Sequence, residues 1–238
     1  MTAEQLNTKI EITEAAIELY LKDNYSIPNL TTKTGKTASE IYALFASKKA
    51  VLEFYYPSLV IRYRAMIAEI PDFESYSISE KLSNFIFTLF DMMQEHFSFV
   101  EQTYQDMEFS SFSETDFKKE VKLLFKGFFL TDPNIAVSAA FFMGDFFYAF
   151  LRSEYLYLVK YWLNDDSEGH ERTLALTDKF TGFVEEVVYS KVVDKGFDLF
   201  KYAMSNAGFA KNIPVFGSWV SHWFEEENKD KQEEKENE

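Results

Sequence analysis

Residues 26–48, SIPNLTTKTGKTASEIYALFASK, carry the side chains best placed for chemistry, and that chemistry is hydrogen bonding rather than bond breaking. Ile41, Leu44 and Phe45 recur on one side of a short helix expected over Thr37–Leu44. Thr37, Ala38, Ser39 and Glu40 are left at its exposed N-terminal end. Gly35 supplies the tight turn ahead of it. A helix pair with a glycine at its turn is the geometry that presents one helix to the major groove of DNA. Lys36 follows the glycine, and two readings stay open: an amine aimed at phosphate, or an exposed turn lysine. No other chemistry competes. There is no cysteine, which excludes disulfides and thiolate metal sites and fits a reducing cytoplasm. His96, His170 and His222 are too scattered for metal-ligand spacing. No nucleophile–base pair, carboxylate dyad or phosphate loop is readable, so neither an enzyme nor a cofactor is expected.

Two elements must hold that helix in place. A first helix is expected over Asn7–Asp23, its apolar side formed by Ala15, Ala16, Ile17, Leu19 and Tyr20. Asn24, which tolerates a left-handed backbone, is expected to end it. Ser26 can cap the second helix, with Pro28 in its first turn where a missing N–H costs little. Ser47 is expected to cap a fourth helix opened by Lys48 and Lys49.

The stretches AAIELYLKDNY (15–25), SIPNLTTKTG (26–35) and KTASEIYALFASKKAVL (36–52) resemble the tetracycline-repressor (TetR) family of transcriptional regulators. Tyr42, Phe45, Ser47 and Lys48 match the family pattern, and the resemblance covers about a fifth of the chain. It implies that the start of the third helix reads bases and that Tyr42 and Lys48 touch phosphates. It also implies a helical body holding a ligand, and a dimer formed by the last two long helices. Four positions depart from the pattern. Glu40 stands where a small polar residue is usual; it would repel phosphate, yet can accept a hydrogen bond from cytosine N4. Ala38 and Ala43 replace commonly basic or polar residues, and Lys36 replaces an apolar one.

Charge is a coarser test. The 238-residue chain carries −15, but residues 1–70 hold eight Lys/Arg and eight Asp/Glu, so all of the excess falls in residues 71–238. A neutral head is compatible with site-specific binding and predicts weak non-specific affinity with a shallow salt dependence. Five prolines, eight glycines and scarce strand-like alternation predict an all-α fold. The divisions expected are a helix-turn-helix head at 1–52, a ligand-binding and dimerisation body at 53–208, an aromatic amphipathic helix at 209–227 and an acidic disordered tail at 228–238. The polar start, MTAEQLNTKIEITEAA, is not a signal peptide.

In the body, helices are expected at Lys48–Glu69, 78–103, 114–130, 134–163 and 170–206. Pro57 should kink the first or divide it in two. Sixteen of the 26 phenylalanines lie between residues 85 and 150, as either ordinary core or the lining of a cavity for a small hydrophobic effector. The candidate lining residues are Phe90, Met93 and Phe97 on one helical face, with Phe128, Phe142, Phe146 and Tyr148 from neighbouring helices. Asp145 interrupts the apolar run 135–151 and needs a partner if buried; Arg152 and a basic group on a ligand are the two candidates. His96 is read as a satisfied core residue or a ligand contact. The run 135–151 is too short, and too interrupted by Asp145, to span a bilayer. A buried central helix is expected instead.

Phe180, Val184, Val187, Val188, Val192, Phe197 and Phe200 recur at helical steps, as a dimer seam or as packing within one subunit. Phe216, Trp219, Val220, Trp223 and Phe224 form one aromatic face, and the final 14 residues carry eight acids and three lysines. That face could dock on the body or dimer mate, lie on a membrane, or close the cavity; the adjacent acids disfavour anionic lipid. The combined expectation is a cytoplasmic, ligand-responsive regulator acting as a repressor. It would bind palindromic operator DNA as a homodimer. The alternative is a hydrophobe-binding protein on the same scaffold that has lost DNA binding.

Overall fold

The computed structural model describes residues 2–111, 113–136, 139 and 143–189. Among these the chain is helical and contains no strand, as composition and periodicity predict. Helix α1 (Ala3–Tyr20) begins four residues earlier than expected. The reason is local: the Thr2 N–H donates to Gln5 Oε1 at 3.0 Å and the Gln5 N–H returns to Thr2 Oγ1 at 3.2 Å. This reciprocal cap starts a helix where apolar periodicity is weak. The helix ends sooner too, and Asp23, not Asn24, takes the positive φ of 52°.

Helix α2 (Ile27–Thr34) is capped by Ser26, whose Oγ accepts the Asn29 N–H at 3.3 Å. Gly35 follows at φ 68°, a conformation in which a Cβ would be strained. Helix α3 (Ala38–Leu44) then runs to Phe45, and α4 (Lys48–Glu53) opens with the Ala50 N–H donated to Ser47 Oγ at 3.0 Å. The long helix expected from Lys48 is divided at Phe54, where α5 (Tyr55–Ile67) begins. Pro57 lies in the first turn of α5, where its missing N–H is least costly.

The helix expected over 78–103 is also two: α6 (Ile78–Gln94) and α7 (Phe97–Tyr104), parted at Glu95 and His96. A short π turn, Gln105–Phe109, follows α7. Helix α8 (Asp116–Leu130) matches its expectation closely. The helix expected over 134–163 is corrected, because α9 (Asp145–Leu163) starts afresh at the Gly144 cap. Helix α10 (Glu171–Tyr189) completes the described chain. Val192, Phe197, Phe200, the 209–227 aromatic segment and the acidic tail lie outside the described residues.

One hydrophobic core runs through head and body. Helix α5 lies against α6 and α8, α9 covers α8, and α10 covers α6. Phe85 of α6 shows how the aromatic residues are used. Its ring meets Tyr63 at 5.1 Å, Phe125 at 5.2 Å and Tyr155 at 5.0 Å, so α5, α6, α8 and α9 converge on one fully buried side chain. The α6–α10 seam is polar by contrast. Thr181 of α10 is buried with its hydroxyl 2.8 Å from Ser83 and 3.2 Å from Ser79, and the Ser79 N–H donates to Glu185 at 2.8 Å.

Phe85→Ala should therefore destabilise the fold by about 3–5 kcal/mol, read as a lower urea midpoint. A loss below about 1 kcal/mol would show that the four-helix aromatic junction can collapse around the missing ring.

Candidate nucleic-acid interface and ligand-binding body

The exposed edge of the head is built by three local caps. Ser26 starts α2, Gly35 turns the chain, and Thr37 starts α3. Ile41 and Phe45 point inward, so Thr37, Ala38, Ser39, Glu40 and Ala43 are left exposed, with Tyr42 49% exposed beside them. Lys48 stands exposed at the start of α4. Its ammonium lies 4.7 Å from the centroid of the Tyr25 ring, while the Tyr25 hydroxyl donates to the Lys48 carbonyl at 2.6 Å. Those two contacts hold α4 against the entry to α2. Lys36 is half-buried at the turn.

Glu40 is not simply a charge facing outward. Its carboxylate accepts the Thr37 N–H and the Thr37 hydroxyl, both at 2.7 Å, and the Glu40 N–H donates to Thr37 Oγ1 at 3.3 Å. The backbone N–H, then the hydroxyl, holds this carboxyl below its usual range. Glu40 thus closes a capping box at the exposed start of α3. Nearby charge is partly neutralised: Lys33 pairs with Glu18 at 2.7 Å and Lys49 with Glu53 at 2.5 Å.

In the body, several residues expected around a cavity are packed on one another. The Phe90 ring stacks on Trp162 at 5.2 Å, and Phe97 meets the same indole edge-on at 5.4 Å. Met93 is fully buried, and Tyr148 is buried against Phe129 at 5.9 Å. Sequence reasoning missed Trp162 as the hub, since its partners come from α6 and α7. Phe128 borders an open groove of about 680 Å³, with Ile67, Phe73 and Leu124 on its other sides. Phe146 is exposed at the start of α9, and Phe142 lies outside the described residues.

Asp145 needs no ligand and does not pair with Arg152. Because α9 begins at Asp145, the carboxylate sits in a first helical turn, where negative charge is favoured. It accepts from Lys122 Nζ at 2.5 Å, with its own side chain largely exposed. Arg152 instead donates to Glu114 at 3.1 Å. His96 is a tether. Its Nε2 lies 2.6 Å from Glu14 of α1, and its ring stands edge-on to Tyr55 at 5.6 Å. The hydrogen bond to Glu14 raises the His96 pKa against the lowering effect of burial.

Of the four described residues in the proposed dimer seam, Val184 and Val188 are buried by their own chain along the α6–α10 contact. Phe180 and Val187 are half-buried and share a second α10 stripe with Leu176 and Phe183, the last 63% exposed. Helix α9 carries a parallel exposed stripe of Phe146, Phe150, Tyr157 and Tyr161. No helix among the described residues is long and apolar enough to cross a membrane.

The family described as "Tetracyclin repressor-like, C-terminal domain" matches residues 81–202, half of the chain. No curated protein matches the sequence.

The His96–Glu14 tether gives a pH dependence with a definite sign. A raised histidine pKa stabilises the fold at low pH, and that contribution is lost as pH rises through the raised value. As pH rises above the ordinary histidine value of 6.5 and through the raised one, the wild-type chain should lose stability that His96→Gln does not lose, measured by urea unfolding. Parallel pH profiles in the two proteins would contradict this.

Proposed function

The chain belongs to the tetracyclin repressor-like family, and from that premise we propose that it is a ligand-responsive transcriptional regulator that binds operator DNA as a homodimer. The observation carrying this reading is the exposed first turn of α3 behind the left-handed Gly35, with Tyr42 and Lys48 beside it. Such a turn exposes polar side chains to bases and flanking groups to phosphate. The exposed stripes on α9 and α10 support association of two copies. A palindromic operator would then meet two heads related by the same twofold axis. The groove between α5 and α8, bordered by Phe128, supports a small apolar effector. An effector shifts the heads by as much as its affinity differs between two body conformations. Repression is the family-level expectation for the result.

One observation favours a second reading, a hydrophobe-binding protein without DNA affinity. The head is neutral, and Lys33 and Lys49 are engaged in ion pairs. The experiment that separates the two is a binding titration on duplexes selected from a random pool. Under the regulator reading Lys48→Ala weakens binding across all sequences and lowers the salt slope by about 1. Glu40→Gln, which can keep the capping box while removing the charge, raises non-specific affinity. No enriched duplex, or binding indifferent to both substitutions, would favour the second reading. Association is checked separately: Phe183→Glu should convert dimer to monomer in sedimentation, and an unchanged dimer would place the seam elsewhere.

A further inference from the structure

A second cavity, of about 410 Å³, opens where the head meets the body, away from the α5–α8 groove. Its volume falls in the range of small-molecule sites, roughly 300–1,000 Å³. The head contributes an aromatic wall, Phe45 and Phe54, with ring centroids 5.8 Å apart. The body contributes the π turn, through Met107 and Glu108, and the start of α8.

That aromatic wall already holds an ammonium. Lys9 Nζ lies 3.9 Å from the Phe54 centroid and 4.8 Å from that of Phe45. Cations are drawn to such faces by the ring quadrupole. Among the described residues, Lys9 is the one cation lining the cavity, against four carboxylates: Glu53, Glu108, Glu114 and Asp116. Three of these have cations of their own, Lys49 at 2.5 Å, Arg152 at 3.1 Å and Lys119 at 3.3 Å. Glu108 does not. It is 2% exposed and accepts from the Thr115 hydroxyl at 2.5 Å, and among the described residues no lysine, arginine or histidine forms an ion pair with it. The Lys118 ammonium, close in sequence, is turned to the Ser111 and Ser113 carbonyls. A buried carboxylate without a direct ion pair is costly, and burial pushes Glu108 up to about 7 against the lowering effects of the Thr115 hydrogen bond and the nearby Lys118 charge. A metal ion is not the missing charge, because no group of three or more metal-ligating side chains occurs among the described residues.

We propose that this head–body cavity binds an organic ammonium compound, its charge facing Glu108 and its apolar part lying on the Phe45–Phe54 wall. An anion would meet the surrounding carboxylates, and a neutral molecule would leave the Glu108 charge with Lys118 alone, whose ammonium is turned to the Ser111 and Ser113 carbonyls. The occupant touches both head and body, so its binding biases their relative orientation. That consequence for DNA rests on the regulator reading; the binding itself does not.

The test uses no DNA, so its failure is distinct from failure of the regulator reading. Phenethylammonium and its uncharged counterpart 2-phenylethanol are titrated into the full chain by calorimetry. The ammonium should bind saturably and at least about tenfold more tightly than the alcohol. Glu108→Gln should remove that preference and leave the alcohol unchanged. Equal affinities, no saturable binding, or a preference that survives in Glu108→Gln would overturn the proposal. Should Glu108→Gln fail to fold, Ala46→Cys provides the second measurement. Ala46 is an exposed lining residue in a chain without cysteine. Phenethylammonium should slow alkylation of that cysteine by iodoacetamide more than 2-phenylethanol does; equal rates would overturn the proposal.

Discussion

The aromatic junction at the start of α5 is the constraint on which head and body both depend. Tyr55 meets Tyr56 at 5.2 Å, Phe99 at 5.3 Å and His96 at 5.6 Å, and Tyr56 continues to Tyr104 and Phe117. Both tyrosines are essentially inaccessible to solvent. The Tyr56 hydroxyl is satisfied by Thr103 at 2.8 Å, so polar groups are buried there without an orphan. The head is attached to this junction twice. Tyr20 of α1 meets Phe99 edge-on at 5.6 Å, and Glu14 of α1 lies 2.6 Å from His96 Nε2. Close-packed contacts of this kind do not deform smoothly. A rearrangement in the body would reach the head as a repacking of Tyr55, Tyr56 and Phe99, with the Glu14–His96 pair as a pH-dependent restraint beside them.

What was legible in the sequence was chiefly what is decided over three or four residues. Ser26, Gly35 and Ser47 act on neighbours within one turn, so their roles follow from residue type and spacing. The same kind of signal was overlooked at Thr2 and Gln5, where a capping box precedes the apolar pattern. Asp145 was misread because the run 135–151 looked like one helix; the break at Gly144 places it in a first turn within reach of Lys122. Val184 and Val188 fit an interface stripe by spacing alone. Periodicity identifies a face to be buried and is silent on which element covers it, and here that element is α6.

The candidate sites were legible as composition more than as geometry. The sequence shows many phenylalanines in 85–150, and of the expected lining residues Phe90 and Phe97 became packing partners of Trp162 and Tyr148 of Phe129. Both described cavities are bordered by residues from the 44–74 stretch, outside the Phe-rich region. Lys9 and Glu108 carried no signal at all: they are ninety-nine residues apart, and their shared cavity is a product of tertiary packing. Glu40 departs from the family pattern of the third helix. Its physical role includes the Thr37 capping box, so a charge unfavourable to phosphate is tied to the stability of the helix that would approach it.

The central claim is that the first turn of α3 is the surface offered to a duplex. Hydrogen–deuterium exchange of the full chain, with and without a duplex selected from a random pool, reads that surface directly. The account predicts slowed exchange in the segment from Lys36 to Lys48, with changes at the Tyr55–Tyr56 junction smaller or absent. Protection confined to the body, with Lys36 to Lys48 unaltered by a duplex that binds, would contradict it.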